Sequence, residues 1–230
     1  MFKEFKQNTV GTDYVVGDIH GCFTMLEEKL SEIHFNPAAD RLFSVGDLVD
    51  RGPESEQVLD WLEKPWFHAV RGNHDDMAIR WPSGNMDVEN YAKNGGIWNI
   101  KASPAYSAMV AEAFRSLPHV IELDTAHGVV GIVHAECPFD DWNDLRRVAI
   151  TKAKGELTSK AFRHVEDALL WERDRIKFTK NSPIANIYAV FVGHTPVKQP
   201  VALGNVLYID TGAGKGGRFT IFNITKWELA

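Results

Sequence analysis

Val15-Val16-Gly17-Asp18-Ile19-His20-Gly21 is the stretch on which the reading of this chain turns. The two valines continue Tyr14 and read as a buried strand. The segment from Cys22 to His34 reads as a helix, with Phe23, Leu26, Leu30 and Ile33 at helical spacing. An aspartate and a histidine two residues apart, held between glycines, therefore sit where a strand hands over to a helix. In open α/β sheets that edge is where ligands bind. The spacing lets both side chains point the same way while strand geometry persists. That is half of a metal site.

The pattern repeats outward from there. Leu42-Phe43-Ser44-Val45 reads as a second strand closing on Gly46-Asp47, and Gly52-Pro53 opens a helix with Val58, Leu59 and Leu62 on its apolar face. Phe67 to Val70 reads as a third strand closing on Gly72-Asn73-His74-Asp75. Three strand-loop-helix units in succession imply a parallel sheet with right-handed crossovers. Met77 to Pro118 reads as a helical insertion, with Asn94-Gly95-Gly96 as a turn. Val129 to Val133 resumes the strand pattern and ends on His134. A polar, largely helical stretch follows from Phe139 to Asn186, and Tyr188 to Val192 ends on Gly193-His194. Val206 to Asp210 and Phe219 to Ile224 read as late strands, expected to supply a second, mixed sheet. The expectation is one domain over residues 1–230, an α/β fold with two packed sheets and a helical insertion.

Composition narrows the class. With 230 residues, 44% of them hydrophobic and 24% charged, the chain can bury a real core. A net charge of −6 argues against a broad nucleic-acid or anionic-membrane surface. No apolar run approaches the ~20 residues that span a bilayer, and Met1 to Thr12 lacks the apolar core of a signal peptide. Cys22 and Cys137 form no disulfide framework, so a reduced, cytoplasmic protein is expected.

Every strong motif occupies the same place, the end of a strand: Asp18 and His20, Asp47, Asn73 and His74, His134, and His194. Carboxylate, imidazole and amide oxygen all suit a divalent transition metal. One ion needs only about four to six ligands, so a set of this size with a central aspartate fits a pair of ions better. Two ions about 3.5–4 Å apart clamp phosphoryl groups and make a nucleophile of water. Taken singly, Asp47 could be a helix N-cap and Arg51 a solvated residue at a helix start.

Taken together, GDIHG, GDLVDRG, RGNHD, HAE at His134 and GHT at His194 resemble the metallophosphoesterases of the PPP phosphoprotein phosphatase family, most closely the small bacterial and bacteriophage enzymes. The resemblance runs from Tyr14 to Ala213 and implies the metallophosphoesterase α/β/α sandwich. It implies a first metal on Asp18, His20 and Asp47, and a second on Asp47, Asn73, His134 and His194. Manganese is favoured, with iron or zinc as alternatives. His74 would be the general acid for the leaving alkoxide, hydrogen-bonded by Asp50, since a neighbouring carboxylate favours imidazolium. Arg51 and Arg173 would bind phosphate oxygens through their planar forks, with Arg175 close enough in sequence to compete for the role.

The implied function is hydrolysis of phosphoserine and phosphothreonine in a phosphoprotein, with phosphotyrosine within the range of the small bacterial type, by direct attack of a hydroxide bridging two metals. Symmetrical diadenosine tetraphosphate hydrolysis is the competing activity, and an inactive binding scaffold the competing class. The family's small members commonly have His-Ala-Asp-Tyr-Pro where this chain has His134-Ala135-Glu136-Cys137-Pro138. Arg71 is expected either to neutralise carboxylates or to contact phosphate. His34, His68, His119, His127 and His164 are expected to be structural or exposed, and the tryptophans to be core residues, not ligand platforms. Cys22 sits at a helix start near the metals, where a thiol pKa can fall, although packing is the plainer reading.

Overall fold

The first apolar run becomes β2 (Asp13–Val16), buried at all four positions. It pairs in parallel with β3 (Arg41–Ser44), which pairs in parallel with β4 (Phe67–Ala69). The computed structural model describes all 230 residues. The first crossover is α1 (Phe23–Glu32), whose Phe23, Leu26 and Leu30 face the sheet as their spacing requires. The second is shorter than the sequence suggests. A 3-10 turn over Ser55–Gln57 leads into α2 (Val58–Leu62). The loop before it carries three non-glycine residues with positive φ, Asp47, Asp50 and Arg51, a conformation no right-handed helix contains.

Beyond β2 the sheet continues antiparallel through β10 (Ile221–Asn223) and β11 (Glu228–Leu229), giving the order β11-β10-β2-β3-β4. The second sheet has the order β1-β5-β6-β7-β9-β8. Its strands are β1 (Phe2–Phe5), β5 (Val120–Thr125), β6 (Gly128–Ile132), β7 (Ala189–Val192), β8 (Val201–Leu203) and β9 (Val206–Tyr208). This corrects the expectation that the late strands supply the second sheet. Only β9 joins it; β10 returns to β2, because its partner is set by long-range pairing and not by its place in the chain.

Alternate residues build three apolar layers. Val15, Phe43 and Val45 from the first sheet meet Ile121, Val130, Ile132 and Phe191 from the second, between the sheets. Tyr14 and Val16 face outward onto α1 and onto Val110 and Phe114 of α6 (Pro104–Arg115). Val190 and Val192 face α7 (Trp142–Ala153) and α8 (Ser159–Trp171) on the opposite side. The result is the expected helix–sheet–sheet–helix stack. The insertion contains α3 (Asn73–Arg80), a 3-10 turn at Trp81–Ser83, α4 (Val88–Lys93), α5 (Ile97–Ile100) and α6. Asp87 caps α4 by accepting from Asn90 N at 2.8 Å, and Ser103 caps α6 by accepting from Tyr106 N at 3.2 Å. The helical stretch after β6 ends with α9 (Asp174–Lys177), short of Asn186, and no helix is long and apolar enough to cross a membrane.

His119, at the edge of the second sheet, is only 1% exposed, and its Nε2 lies 3.3 Å from Glu166 Oε1. Burial lowers its pKa to about 4 against the pull of Glu166, with Arg71 reinforcing the shift. The folded state therefore holds it neutral, whereas the unfolded chain takes a proton near pH 6.5. Its stabilisation is present above pH 6.5 and is lost as pH falls toward 4, by up to about 3 kcal/mol. Urea unfolding from pH 7 to pH 4 should thus show a shallower loss for His119→Gln than for the unaltered chain. Parallel curves would contradict this.

Candidate active site

The strand ends deliver the site. Asp18 and His20 follow β2, Asp47 follows β3, Asn73 and His74 open α3 after β4, His134 follows β6 and His194 follows β7. The two sheets bring these ends together, and none of the six expected ligands is more than 6% exposed. The ligand atoms of His20, Asp47 and His74 lie within 4.8 Å of one another, as do those of Asp47, His134 and His194. Asp47 belongs to both groups. Its Oδ2 is 3.7 Å from His20 Nε2 and 4.0 Å from His74 Nε2, while its Oδ1 is 3.4 Å from His134 Nε2. Asn73 Oδ1 is 2.9 Å from His134 Nε2 and 2.8 Å from His194 Nδ1. Asp18 Oδ2 stands 3.9 Å from His20 Nε2.

Hydrogen bonds on the far side of each ring decide which nitrogen faces inward. His20 Nδ1 donates to Val49 O at 2.9 Å, His134 Nδ1 to Val45 O at 2.8 Å, and His194 Nε2 to Trp171 O at 3.1 Å. Burial lowers all three pKa values, to about 3 for His20 and His194, so the rings are neutral. Each then turns a lone pair inward. Asn73 Oδ1, Asp47 Oδ1, His134 Nε2 and His194 Nδ1 converge as four acceptors with no proton among them, which is unfavourable unless a cation sits between them.

The carboxylates agree. Burial, then the charges of Asp210 and Asp47, push Asp18 well above the usual range. Burial also opposes ionisation of Asp47, but the imidazoles, His134 foremost, hold it below the usual range. This donor set fits a pair of divalent ions.

Around the candidate ligands lies a second set of groups. His74 Nδ1 donates to Asp50 Oδ2 at 2.7 Å, which leaves Nε2 facing inward. Trp98 Nε1 donates to the other oxygen, Asp50 Oδ1, also at 2.7 Å. Arg51 reaches across both histidines. Its Nη2 is 2.6 Å from His74 Nε2, and its Nη1 contacts His20 Nε2. Arg173 is exposed and its Nη2 lies 3.5 Å from His194 O. Arg175 is buried, donating from Nη1 to Lys180 O and Ser182 O at 3.0 and 2.7 Å, which commits that nitrogen to the α9 turn. Arg71 donates to Arg115 O at 2.9 Å, and Asp76 and Glu166 are the first charges that act on it. Its one side-chain hydrogen bond runs to a backbone carbonyl, and it forms no ion pair with a carboxylate, so neither expected role is shown. Cys22 packs against the core, the plainer of its two readings, and partial burial raises its thiol.

Several residues at the site escaped the sequence reading. Asp210 follows β9 at Tyr208-Ile209-Asp210-Thr211-Gly212, the same strand-then-acid grammar, and its charge bears on Asp18. It accepts from Gly212 N at 2.9 Å, and burial raises its pKa. Asp75 accepts from Leu48 N and Gly72 N at 2.9 and 2.8 Å, tying the Asp47 loop to α3, and burial lifts it to about 8. Trp98 carried no signal beyond its neighbourhood to Asn94-Gly95-Gly96. Gly193 has a steric reason that sequence could not show. A Cβ there would lie 2.0 Å from Asp18 Oδ1, so no larger residue fits between the strand end and that ligand.

Residues 14–209 match the family described as calcineurin-like phosphoesterase. The chain is 35% identical over 214 residues to serine/threonine-protein phosphatase 1 of Salmonella typhimurium, covering 92% of this chain and 91% of that protein. A symmetrical bis(5'-nucleosyl)-tetraphosphatase of Pseudomonas entomophila is 52% identical over 128 residues, which are 54% of this chain and 42% of that enzyme. A crystal structure described as a putative diadenosine tetraphosphatase superposes with a TM-score of 0.64 at 20% identity, covering 100% of this chain and 96% of the other.

Proposed function

The chain belongs to the calcineurin-like phosphoesterase family, a family of dinuclear metal sites, and from that premise we propose that it is a metal-dependent protein phosphatase acting on phosphoserine and phosphothreonine. The observation that carries this reading is Asp47, shared between one converging group with His20 and His74 and another with His134 and His194, with His74 backed by Asp50. The first ion would rest on Asp18, His20 and Asp47, and the second on Asp47, Asn73, His134 and His194. The mixed nitrogen and oxygen set admits manganese, iron or zinc, with manganese our first choice. Bound there, the pair supplies an activated water nucleophile and positive charge for the phosphate dianion.

The chain's own residues do the rest. Arg51 and Arg173 grip the non-bridging phosphate oxygens, and their guanidinium forks suit that geometry. With both ring nitrogens protonated, His74 directs Nδ1–H to Asp50 and Nε2–H to the leaving oxygen. It gives the Nε2 proton to that oxygen as the ester bond breaks and is left neutral, still donating from Nδ1 to Asp50. No serine or cysteine nucleophile is required. Two cysteines without a partner suit a reducing compartment such as the cytoplasm.

Hydrolysis of a symmetrical dinucleoside tetraphosphate is the second reading, favoured by the 52% identity to the Pseudomonas enzyme. The match to the Salmonella phosphatase favours the first, because it extends over nine-tenths of both chains. An inert scaffold is disfavoured by the intact ligand set and by His74. Manganese-loaded protein should be assayed on phosphoserine, phosphothreonine and phosphotyrosine peptides and on diadenosine tetraphosphate. Turnover of the phosphoserine and phosphothreonine peptides, with tyrosine weaker, supports the proposal. Release of ADP from the dinucleotide with the peptides untouched overturns it.

A further inference from the structure

Asp50 and Arg51 are the strained corner of the site. Both adopt positive φ, 70° and 67°, in a region that only glycine visits freely, so their surroundings must hold them there. Two of the holds come from the 3-10 turn that follows and from the loop after β2. Asp50 N donates to Ser55 Oγ at 2.9 Å, and Gly52 N donates to His20 O at 2.9 Å. Two more come from the insertion. Gly95, at φ 98°, packs so closely that a Cβ would lie 2.4 Å from Arg51 N. Trp98, at the start of α5, sends its indole N–H to Asp50 Oδ1.

The Asp50 carboxylate is therefore spanned from both sides, by indole on Oδ1 and imidazole on Oδ2, and it cannot rotate without breaking one of two 2.7 Å bonds. The carboxylate is buried (0% exposed). Tyr91, buried beside it, feels its charge, and the Tyr91 hydroxyl is itself engaged by Asn99 Nδ2 at 3.1 Å. With Oδ1 released, Asp50 could turn away from His74, and His74 would lose the contact that holds its ring and aims Nε2.

We propose that Trp98 is a positioning residue for the proton given to the leaving group, acting through Asp50 on His74. The turn and helix Asn94–Ile100 then belong to the catalytic apparatus as well as to the wall around it. This inference rests on the reading of His74 as the general acid, and the experiment separates the two.

Trp98→Phe keeps an aromatic ring and removes the N–H together with the smaller ring of the indole, so stability and metal content are read beside turnover. Its kcat should be compared with that of the unaltered chain and of His74→Asn on two substrates. One is a phosphoserine peptide, whose alkoxide leaves poorly; the other is p-nitrophenyl phosphate, whose phenolate leaves without needing a proton. The expected result for Trp98→Phe is a loss of about 10-fold on the peptide with KM unchanged, and less than about 3-fold on the aryl ester. Metal content should stay at the unaltered chain's value, and the urea midpoint should move little.

Equal losses on both substrates, a change confined to KM, or no change would each overturn the proposal. If His74→Asn shows the leaving-group dependence and Trp98→Phe does not, only the role of Trp98 falls. If His74→Asn shows none, the acid reading and this inference fall together.

Discussion

Asp47→Asn lowers kcat on a phosphoserine peptide by at least about 10³-fold, ~4 kcal/mol of barrier, while leaving the fold intact. The replacement is nearly isosteric. The retained amide oxygen can still accept from His74 N, which bonds Asp47 Oδ1 at 2.8 Å, so the loop–helix junction survives. The new amide N–H₂ would take the Oδ2 place, where it can donate toward the His20 lone pair. One of three mutually repelling acids is also removed, since Asp18 and Asp210 both feel the Asp47 charge. In chelator, the variant should therefore unfold at the same urea concentration as the unaltered chain or a higher one.

What it loses is the only carboxylate that faces both ligand groups. Bound manganese, measured after desalting, should fall from two per chain to one or fewer. Near-normal turnover with two retained ions would show that Asp47 is not the shared ligand.

The legibility of this site has a physical cause. Each candidate ligand lies within a few residues of a strand's last apolar position, so the backbone that aims it is local. A reader of Val15-Val16-Gly17-Asp18 or Val45-Gly46-Asp47 sees strand, turn and ligand in one glance. The parts that stayed hidden depend on partners far along the chain. β1 pairs with β5, matching Phe2 to Val120, and no local pattern in Phe2–Phe5 announces it. β5 is disguised by Glu122, which breaks the apolar run. Its carboxylate is buried because Trp142 Nε1 donates to it at 2.6 Å and Arg146 lies 3.4 Å away. Trp98 meets Asp50 across 48 positions. The choice between Arg173 and Arg175 is of the same kind. Arg173 caps α9 and Arg175 lies in its first turn, and only the carbonyls of Lys180 and Ser182 show which guanidinium is already engaged.

His74→Asn is the variant that separates acid from ligand. The geometry allows both roles, because His74 Nε2 converges with His20 and Asp47 closely enough to hold an ion. Two features favour the acid. Its Nδ1 is bonded to a buried carboxylate, Asp50, whereas the rings of His20, His134 and His194 each bond a backbone carbonyl. Its Nε2 also faces Arg51, the residue suited to phosphate, at 2.6 Å. A ring backed by a carboxylate and aimed at the phosphate position is placed to give up a proton there.

Asparagine keeps a polar side chain in the pocket but has no proton to give at that reach. The expected loss on a phosphoserine peptide is about 10²–10³-fold in kcat, within the usual span of general acid catalysis. On p-nitrophenyl phosphate the loss should be under about 10-fold, because a phenolate departs unaided. Manganese per chain should stay at two. If one ion is lost with His74, the ring is a ligand. The steep dependence on leaving group should then vanish as well, since both substrates would suffer alike.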